Sequence, residues 1–311
     1  LAALEMNRDF WRGKRVLVTG HTGFKGSWLC LWLEALGAKV SGFSLKPAAS
    51  PNLFAEADVG RDIKNTFADI RDQSAIYDAI ATFRPEIVIH MAAQPLVRDS
   101  YKFPAETYAT NVMGTVNLFE AVRQSSSVRA VVNVTTDKCY ENKEWLWGYR
   151  ENESMGGHDP YSSSKGCAEL ITEAYRRSFF QQHDIRVATA RAGNVIGGGD
   201  WAEDRLVPDI LKAFEKNQVV SIRNPQATRP WQHVLEPLSG YIALATNLAK
   251  TNQNHGEAYN FGPSANQDYP VAALIKEISK HLDKVKWNDD SKQNYNLHEA
   301  GLLKLNCDKA L

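Results

Sequence analysis

Apolar residues in this chain come in short runs separated by amphipathic stretches, and the alternation sets the first expectations. "KRVLVTG" (14–20) reads as a strand, and "KGSWLCLWLEALGA" (25–38) as a helix ended by Gly37. "KVSGFS" (39–44) is a second strand and "IKNTFADI" (63–70) a third. A helical pattern follows from Asp72 to Phe83, stopped by Pro85. "EIVIHMAA" (86–93) is a nearly continuous apolar strand, and a long helix runs from about Ala105 to Gln124. "AVVNVTTD" (130–137) is the next strand, followed by a loop rich in Trp and Gly. A helix from about Pro160 to Gln182 and a strand "IRVATARAG" (185–193) complete the series. The repeated β-α order predicts an α/β fold, a doubly wound parallel sheet covered by helices on both faces. After Asn194 the pattern loosens around Gly197–Gly199 and Pro208, Pro225, Pro230 and Pro237, which predicts a smaller, irregular C-terminal domain.

Composition narrows the function without naming it. Apolar residues make up 43% and charged residues 23% of 311, with a formal net charge of zero. That balance gives no reason to expect nucleic acid or an anionic membrane surface as partner. No apolar run approaches the ~18–20 residues that span a bilayer. Cys30, Cys139, Cys167 and Cys307 show no zinc spacing, which predicts reduced thiols in a cytoplasmic protein and no metal. Residues 1–5 lack a basic start and an apolar core, so Met6 is expected as the natural start, and the natural C-terminus is expected beyond the helix-like "CDKAL".

Two stretches carry chemistry. "VLVTGHTGFKGSWL" sets Gly20, Gly23 and Gly26 three apart between a strand and a helix. In that context the first glycine permits a tight turn, the second lets backbone approach a pyrophosphate, and the third lets helix pack on strand. The helix-start amides then face an anion. The acidic residue expected after the second strand is missing, since Ser44 and Lys46 stand there, so residue type alone leaves NADP open. Asp69 and Ile70 follow the third strand, where they can meet an adenine or where Asp69 or Asp72 can cap a helix.

The second stretch is "VVNVTTDKCYEN", a strand that breaks into two hydroxyls, a carboxylate and an ammonium. It is either a solvated turn or an active site at the carboxyl end of a parallel strand. "DPYSSSKGCAELI" favours the latter. Tyr161 and Lys165 lie four apart on one helix face, and a lysine beside a phenol lowers its pKa towards a useful base. Thr136 can hold the substrate oxygen that Tyr161 deprotonates.

Together "VTGHTGFKG", "MAAQ", "TNVMGT", "TTDK", "YSSSK" and "RAGNVIGGGDW" resemble the extended short-chain dehydrogenase/reductases over nearly the whole chain. Within them, "TTDKCY", "WGYRENE" and "RPWQHVLEPLSGY" are most similar to the CDP-glucose 4,6-dehydratases. The resemblance implies a seven-stranded Rossmann sheet over 12–193, rejoined by 234–262, with a substrate domain from 194–233 and 263–311. It implies tightly held NAD, contacted by Gly20, Thr22, Gly23, Phe24, Lys25, Gly26, Asp69, Ile70, Ala92 and Ala93, together with Tyr161 and Lys165. It implies C4 oxidation, C5/C6 elimination and hydride return to C6 on CDP-glucose, a step in deoxysugar biosynthesis. Thr136, Tyr161 and Lys165 would serve the oxidation. Asp137 would be the acid towards O6, and Lys138 either the C5 base or a stabiliser of the enolate. Asn111 would interrupt the long helix and support a proton relay to Lys165, or else be a locally satisfied helix Asn. Asn194, Arg205, Arg229, Arg223 and His298 would meet the sugar nucleotide, Arg205 and Arg229 through its diphosphate and Arg223 at the ribose or base end. Trp145, Trp147 and Tyr149 either cover the site or pack between domains. A homodimer, or a dimer of dimers, through the 105–124 and 160–182 helices is the implied assembly.

Overall fold

The computed structural model describes residues 8–47, 50–264, 269–283, 285–292 and 300–311. A first turn of helix α1 (Arg8–Trp11) leads into β1 (Arg15–Thr19), α2 (Phe24–Ala35) and β2 (Lys39–Ser44). The short α3 (Leu53–Glu56), β3 (Lys64–Phe67), α4 (Gln73–Phe83) and β4 (Ile87–His90) follow. Next come α5 (Val97–Lys102), α6 (Pro104–Tyr108), a π turn (Ala109–Met113) and α7 (Gly114–Arg123). Strand β5 (Ala130–Val134) precedes a 3₁₀ turn (Asp137–Cys139), α8 (Pro160–Ser178) and β6 (Arg186–Ala192).

These strands form one parallel sheet in the order β3-β2-β1-β4-β5-β6, with β10 (Ala258–Phe261) beyond β6. Alternation along each strand sorts the side chains into two cores. Val16, Val18, Ile87, Ile89, Ala130, Val132 and Val134 face α2 and α10 (Leu235–Lys250). Leu17, Val88, Val131 and Val187 face the other way, towards α4 and α7. The strand order reverses between β1 and β4, and the crevice at such a switch point is where parallel sheets bind ligands.

The rest of the chain is smaller and looser. It includes β7 (Val195–Ile196) paired with β9 (Gln232–His233), and β8 (Val219–Ile222) paired with β11 (Lys286–Asp289). Helices α9 (Leu206–Glu215) and α11 (Val271–Ile278) pack there around Ile210, Val220, Ile222 and Ile275. After β9 the chain returns to the sheet through α10 and β10.

The 105–124 helix is interrupted where expected, by the π turn that holds Asn111. Two expected elements differ from the observed ones. The 160–182 helix stops at Ser178, because Phe179 leaves helical geometry (φ −132°, ψ −51°) and a 3₁₀ turn over Phe180–His183 follows. "CDKAL" forms a turn closed by Ala310 N–H donating to the Cys307 carbonyl, not a helix. Helix α4 ends as expected before Pro85, with Arg84 in the left-handed region at φ 53°.

Candidate active site

The glycine turn after β1 separates what the fold needs from what a ligand needs. Gly20 has φ 75°, and a Cβ there would sit 2.8 Å from the Ala92 nitrogen. A Cβ on Gly26 would lie 2.1 Å from the Gly20 carbonyl oxygen. Both glycines are therefore demanded by the chain itself. Gly23 is not: its φ is −77°, its nearest obstruction would be 3.4 Å away, and it is exposed. Gly23 caps α2 without a side-chain hydrogen bond, and the first turn of the helix carries no acidic residue. Open backbone at a helix start is what a pyrophosphate requires, so the residues fit a dinucleotide.

Around this turn the structure spends some of the expected contacts internally. The Thr22 hydroxyl donates to the Leu45 carbonyl (2.9 Å) and lies 3.0 Å from the Ser44 hydroxyl, tying the turn to the end of β2. Asp72, not Asp69, caps α4, while Asp69 forks onto Arg71. The Met91 and Ala92 amides donate to the Thr19 hydroxyl, which also meets His90 Nδ1 at 2.7 Å. Burial holds His90 down to about 3, so this lock between β1 and β4 is neutral.

The "TTDK" segment and the Tyr-Lys helix meet at the carboxyl end of β5. All five β5 residues are buried, and the chain leaves the sheet through Thr136, whose side chain caps the 3₁₀ turn. Helix α8 starts where it does because Asp159 accepts from the Ser162 amide (2.9 Å) and Pro160 occupies the first helical position. That start puts Tyr161 in the first turn and Lys165 one turn on, both buried. The Tyr161 phenol lies beside Thr136, and the Thr136 hydroxyl donates to Asp137 Oδ1 at 2.9 Å. Asp137 is 2% exposed, and its Oδ2 is buried without a hydrogen-bond partner. A buried carboxylate oxygen left open costs stability unless something else answers it.

Charge distribution departs from the sequence expectation in one respect. Tyr161 is not poised near neutrality by Lys165. Burial pushes the phenol up to about 12, against the lowering effect of Thr136 beside it. The Lys165 ammonium instead donates to the Val134 carbonyl at 3.2 Å, and burial brings it down to about 8. Lys25, in the first turn of α2, is also brought to about 8, by burial first and then by Lys165 and Arg205, with Asp137 opposing. Lys165 and Arg205 thus act on Lys25 in the same sense, and cations gathered beside a glycine turn suit an anionic ligand. The Lys25 ammonium lies 5.9 Å from the ring centre of Tyr241, a fully buried residue of α10 whose hydroxyl has no partner.

The remaining expected residues scatter more widely. Asn111 is buried and fully engaged: it accepts from the Gln94 amide (2.8 Å) and donates to the Gln94 carbonyl and the Ser164 hydroxyl. It thus ties the π turn to α8 one residue before Lys165, with no direct bond to that lysine. Arg205 faces the pocket while its Nη1 pairs with Asp200 at 2.8 Å. Arg223 pairs with Asp204 (3.2 Å). Arg229 donates to the carbonyls of Thr228 and Ala300 within the smaller domain. Asn194 lies between β6 and β7, its carbonyl accepting from Gln232. Ile70 is buried, and Ala93 follows the β4 lock. His298 lies outside the described residues. Tyr149 packs on Tyr140 and Trp145, whereas Trp147 is exposed. Sequence reasoning did not single out His90, Gln94, Tyr140, Glu169, Arg191 or Tyr241. Only Arg191 carried a signal, as a charge inside an apolar strand. Among the described residues no cluster of His, Cys, Asp and Glu is arranged to hold a metal, and no helix is long and apolar enough to cross a membrane.

Comparison with known proteins agrees with this geometry. The NAD dependent epimerase/dehydratase family matches residues 16–262. A CDP-glucose 4,6-dehydratase of Salmonella typhimurium is 55% identical over 98% of this chain and 86% of its own length. A dTDP-glucose 4,6-dehydratase of Xanthomonas campestris is 26% identical over 89% of this chain and 78% of its own. Among solved structures, a Thermotoga maritima UDP-glucose 4-epimerase with UDP-glucose superposes with a TM-score of 0.80, at 22% identity over 95% of this chain and 91% of that one. A dTDP-glucose 4,6-dehydratase from Streptomyces venezuelae, with NAD bound, gives 0.80 at 23% identity over 95% and 89%. At these identities the solved structures share the fold.

Proposed function

The chain belongs to the NAD dependent epimerase/dehydratase family, and we propose that within it the protein converts CDP-D-glucose to CDP-4-keto-6-deoxy-D-glucose and water. The observation that carries the reading is the group Tyr161, Thr136 and Asp137, in which Thr136 donates to Asp137 and the second, buried carboxylate oxygen has no hydrogen-bond partner. A 4-epimerase has work for the first two residues and none for a buried acid beside them. A dehydratase needs that acid to protonate the departing O6.

When bound, NAD supplies the hydride acceptor for C4, the hydride donor for C6 and one positive charge. Gly20, Gly23, Gly26 and the first amides of α2 would hold its pyrophosphate. Tyr161 takes the proton from O4, and Thr136 orients that oxygen. Lys165, by donating to the Val134 carbonyl, holds the Tyr161 helix to the end of β5. Once C4 is a ketone, the C5 proton is acidic, and Lys138 removes it or stabilises the resulting enolate. Asp137 protonates O6 as it leaves. Arg205 and Asn194 meet the nucleotide diphosphate and sugar from the smaller domain, with Arg229 also towards the diphosphate and Arg223 and His298 towards the nucleotide end.

The product class, a 4-keto-6-deoxy sugar nucleotide, feeds deoxysugar assembly of the O-antigen type. Four unpaired cysteines support a reducing, cytoplasmic setting. The assembly we infer is a homodimer, or a dimer of dimers, in which the paired rods α6–α7 and α8 meet their copies. Tyr108, Met113 and Leu170 stay 38%, 52% and 62% exposed on these rods. Incubation with NAD and CDP-, UDP- and dTDP-glucose tests the reading. CDP-glucose should lose one water and gain the alkaline absorbance of a 4-keto sugar. An epimerised hexose without loss of water would reject it.

A further inference from the structure

We propose that the buried Arg191–Glu169 pair is the positioning device of the catalytic turn, because it anchors the two residues that bracket Thr136, Asp137 and Lys138. This rests on the reading of that turn as catalytic. Glu169 lies on α8 one turn past Lys165, and Arg191 lies on β6. Both side chains are 5% exposed, and they meet as a fork, Nε to Oε1 at 2.9 Å and Nη2 to Oε2 at 2.8 Å.

The outer contacts of the pair define its role. Thr135, immediately before the catalytic turn, donates its hydroxyl to Glu169 Oε1. Tyr140, immediately after the turn, accepts from Arg191 Nη1 at 2.8 Å, and the guanidinium sits 5.0 Å from its ring centre. The same Nη1 donates to the Glu151 carbonyl, so the loop beyond the turn is held too. Tyr140 passes the restraint on by donating to Asn260 Oδ1 (2.7 Å), and Asn260 in turn donates to the Tyr149 and Asn306 carbonyls. One ion pair therefore joins the end of β5, the Tyr-Lys helix and the loop 140–155.

Buried ion pairs are poor devices for stability, because an apolar replacement of the same volume often does as well or better. Their attested use is to fix one arrangement out of several. Here the arrangement fixed is the rotation of a short 3₁₀ turn that must present Thr136 and Asp137 to one substrate. The charge also bears on Lys165, whose ammonium Glu169 favours against burial.

Thr135→Val and Tyr140→Phe test the role, since each removes one hydroxyl while keeping the side chain's bulk. Each should lower kcat about 10-fold or more, since an ångström of misplacement costs up to ~100-fold. KM for the nucleotide sugar and the affinity for NAD should stay near wild type, while the unmet buried partners, at ~1–3 kcal/mol, should lower the melting temperature by a few degrees only. The double variant should lose less than the product of the two single losses, because both hydroxyls act through one pair. Wild-type kcat in both single variants would overturn the role and leave the catalytic reading standing. Parallel losses of kcat, NAD affinity and melting temperature would show general loosening and overturn it as well. If the wild-type protein yields no keto sugar, the catalytic reading falls and takes this role with it.

Discussion

Gly23→Ala and Gly26→Ala should fail in opposite ways, although both change one hydrogen to a methyl within the same turn. The Gly26 methyl would lie 2.1 Å from the Gly20 oxygen, 2.8 Å from the Gly20 carbonyl carbon and 2.9 Å from the His21 Cα. All three are backbone atoms that cannot swing aside. Overpacking of a buried site costs ~1–3 kcal/mol when side chains can yield, so a clash with backbone should cost at least ~3 kcal/mol. For a domain of this size that is a drop of roughly 6 °C or more in melting temperature. The Gly23 methyl meets nothing closer than 3.4 Å, and its φ of −77° suits alanine. Losing glycine at a helix N-cap costs up to ~1 kcal/mol, and the reduced freedom of the unfolded chain returns ~0.4–1 kcal/mol. Gly23→Ala should therefore melt within about 2 °C of wild type. Its methyl occupies the open side of the turn, however. Displacing one amide-to-phosphate hydrogen bond costs ~1.5–3 kcal/mol, which is about 10- to 100-fold in affinity. Calorimetric titration with NAD, paired with melting of the protein alone, reads both effects. Wild-type NAD affinity in Gly23→Ala would refute the assignment of this turn to the pyrophosphate. A wild-type melting temperature in Gly26→Ala would refute the packing argument.

Tyr161→Phe should lower kcat by ~100- to 10,000-fold, the usual worth of a positioned acid–base group, while substrate still binds in equilibrium measurements. Asp137→Asn should still oxidise C4, seen as a burst of reduced-nicotinamide absorbance, and stall before water leaves; elimination at the wild-type rate would sink the acid assignment. CDP-glucose carrying deuterium at C4 should yield product with deuterium at C6 of the same molecule, and crossover between mixed labelled substrates would reject that. Lys165 is held at about 8, below the ordinary lysine value of 10.5, so between those pH values the unfolded chain binds more protons and stability from this group rises with pH. Lys165→Met removes that rise, so its urea midpoint should fall relative to wild type from pH 8 to 10, and a constant difference would contradict the burial argument.

How much of this was legible in the sequence depended on whether the signal was local. Asp159 and Pro160 announce the start of α8, and the start alone fixes Tyr161 and Lys165 on one face. The glycine turn and the short continuous apolar runs of β1, β4 and β5 are equally local, and they give the sheet. The interruption of the long helix at Asn111 was legible too, through resemblance, but its form as a π turn over five residues leaves no mark in the apolar pattern. Tyr161 shows a related limit. A lysine four residues away is visible in the sequence, but the burial that raises the phenol comes only with the fold. Glu169 and Arg191 lie 22 residues apart and read separately as a helix-surface acid and an odd strand residue. Only the sheet register, with Val134 beside Ala190, brings the end of β5 level with the pair.

The order of groups in the pocket has a further consequence for the proposed reaction. Dehydration removes protons from O4 and C5 and delivers protons to O6 and C5, so the O4 proton must be matched by one given to O6. In the proposed roles Tyr161 receives the first and Asp137 gives the second, and Thr136 lies between them, its hydroxyl donating to Asp137. Proton loss and proton supply thus sit at the two ends of one short line. Burial pushes the Tyr161 phenol up to about 12, so its phenolate is scarce but strongly basic once formed. The proton that Tyr161 takes from O4 balances the one that Asp137 gives to O6 over the turnover. The same line explains why the turn is anchored at both ends. A rotation that kept Thr136 in reach of Tyr161 but moved Asp137 away would preserve oxidation and lose elimination, leaving a 4-keto sugar with its C6 hydroxyl still in place.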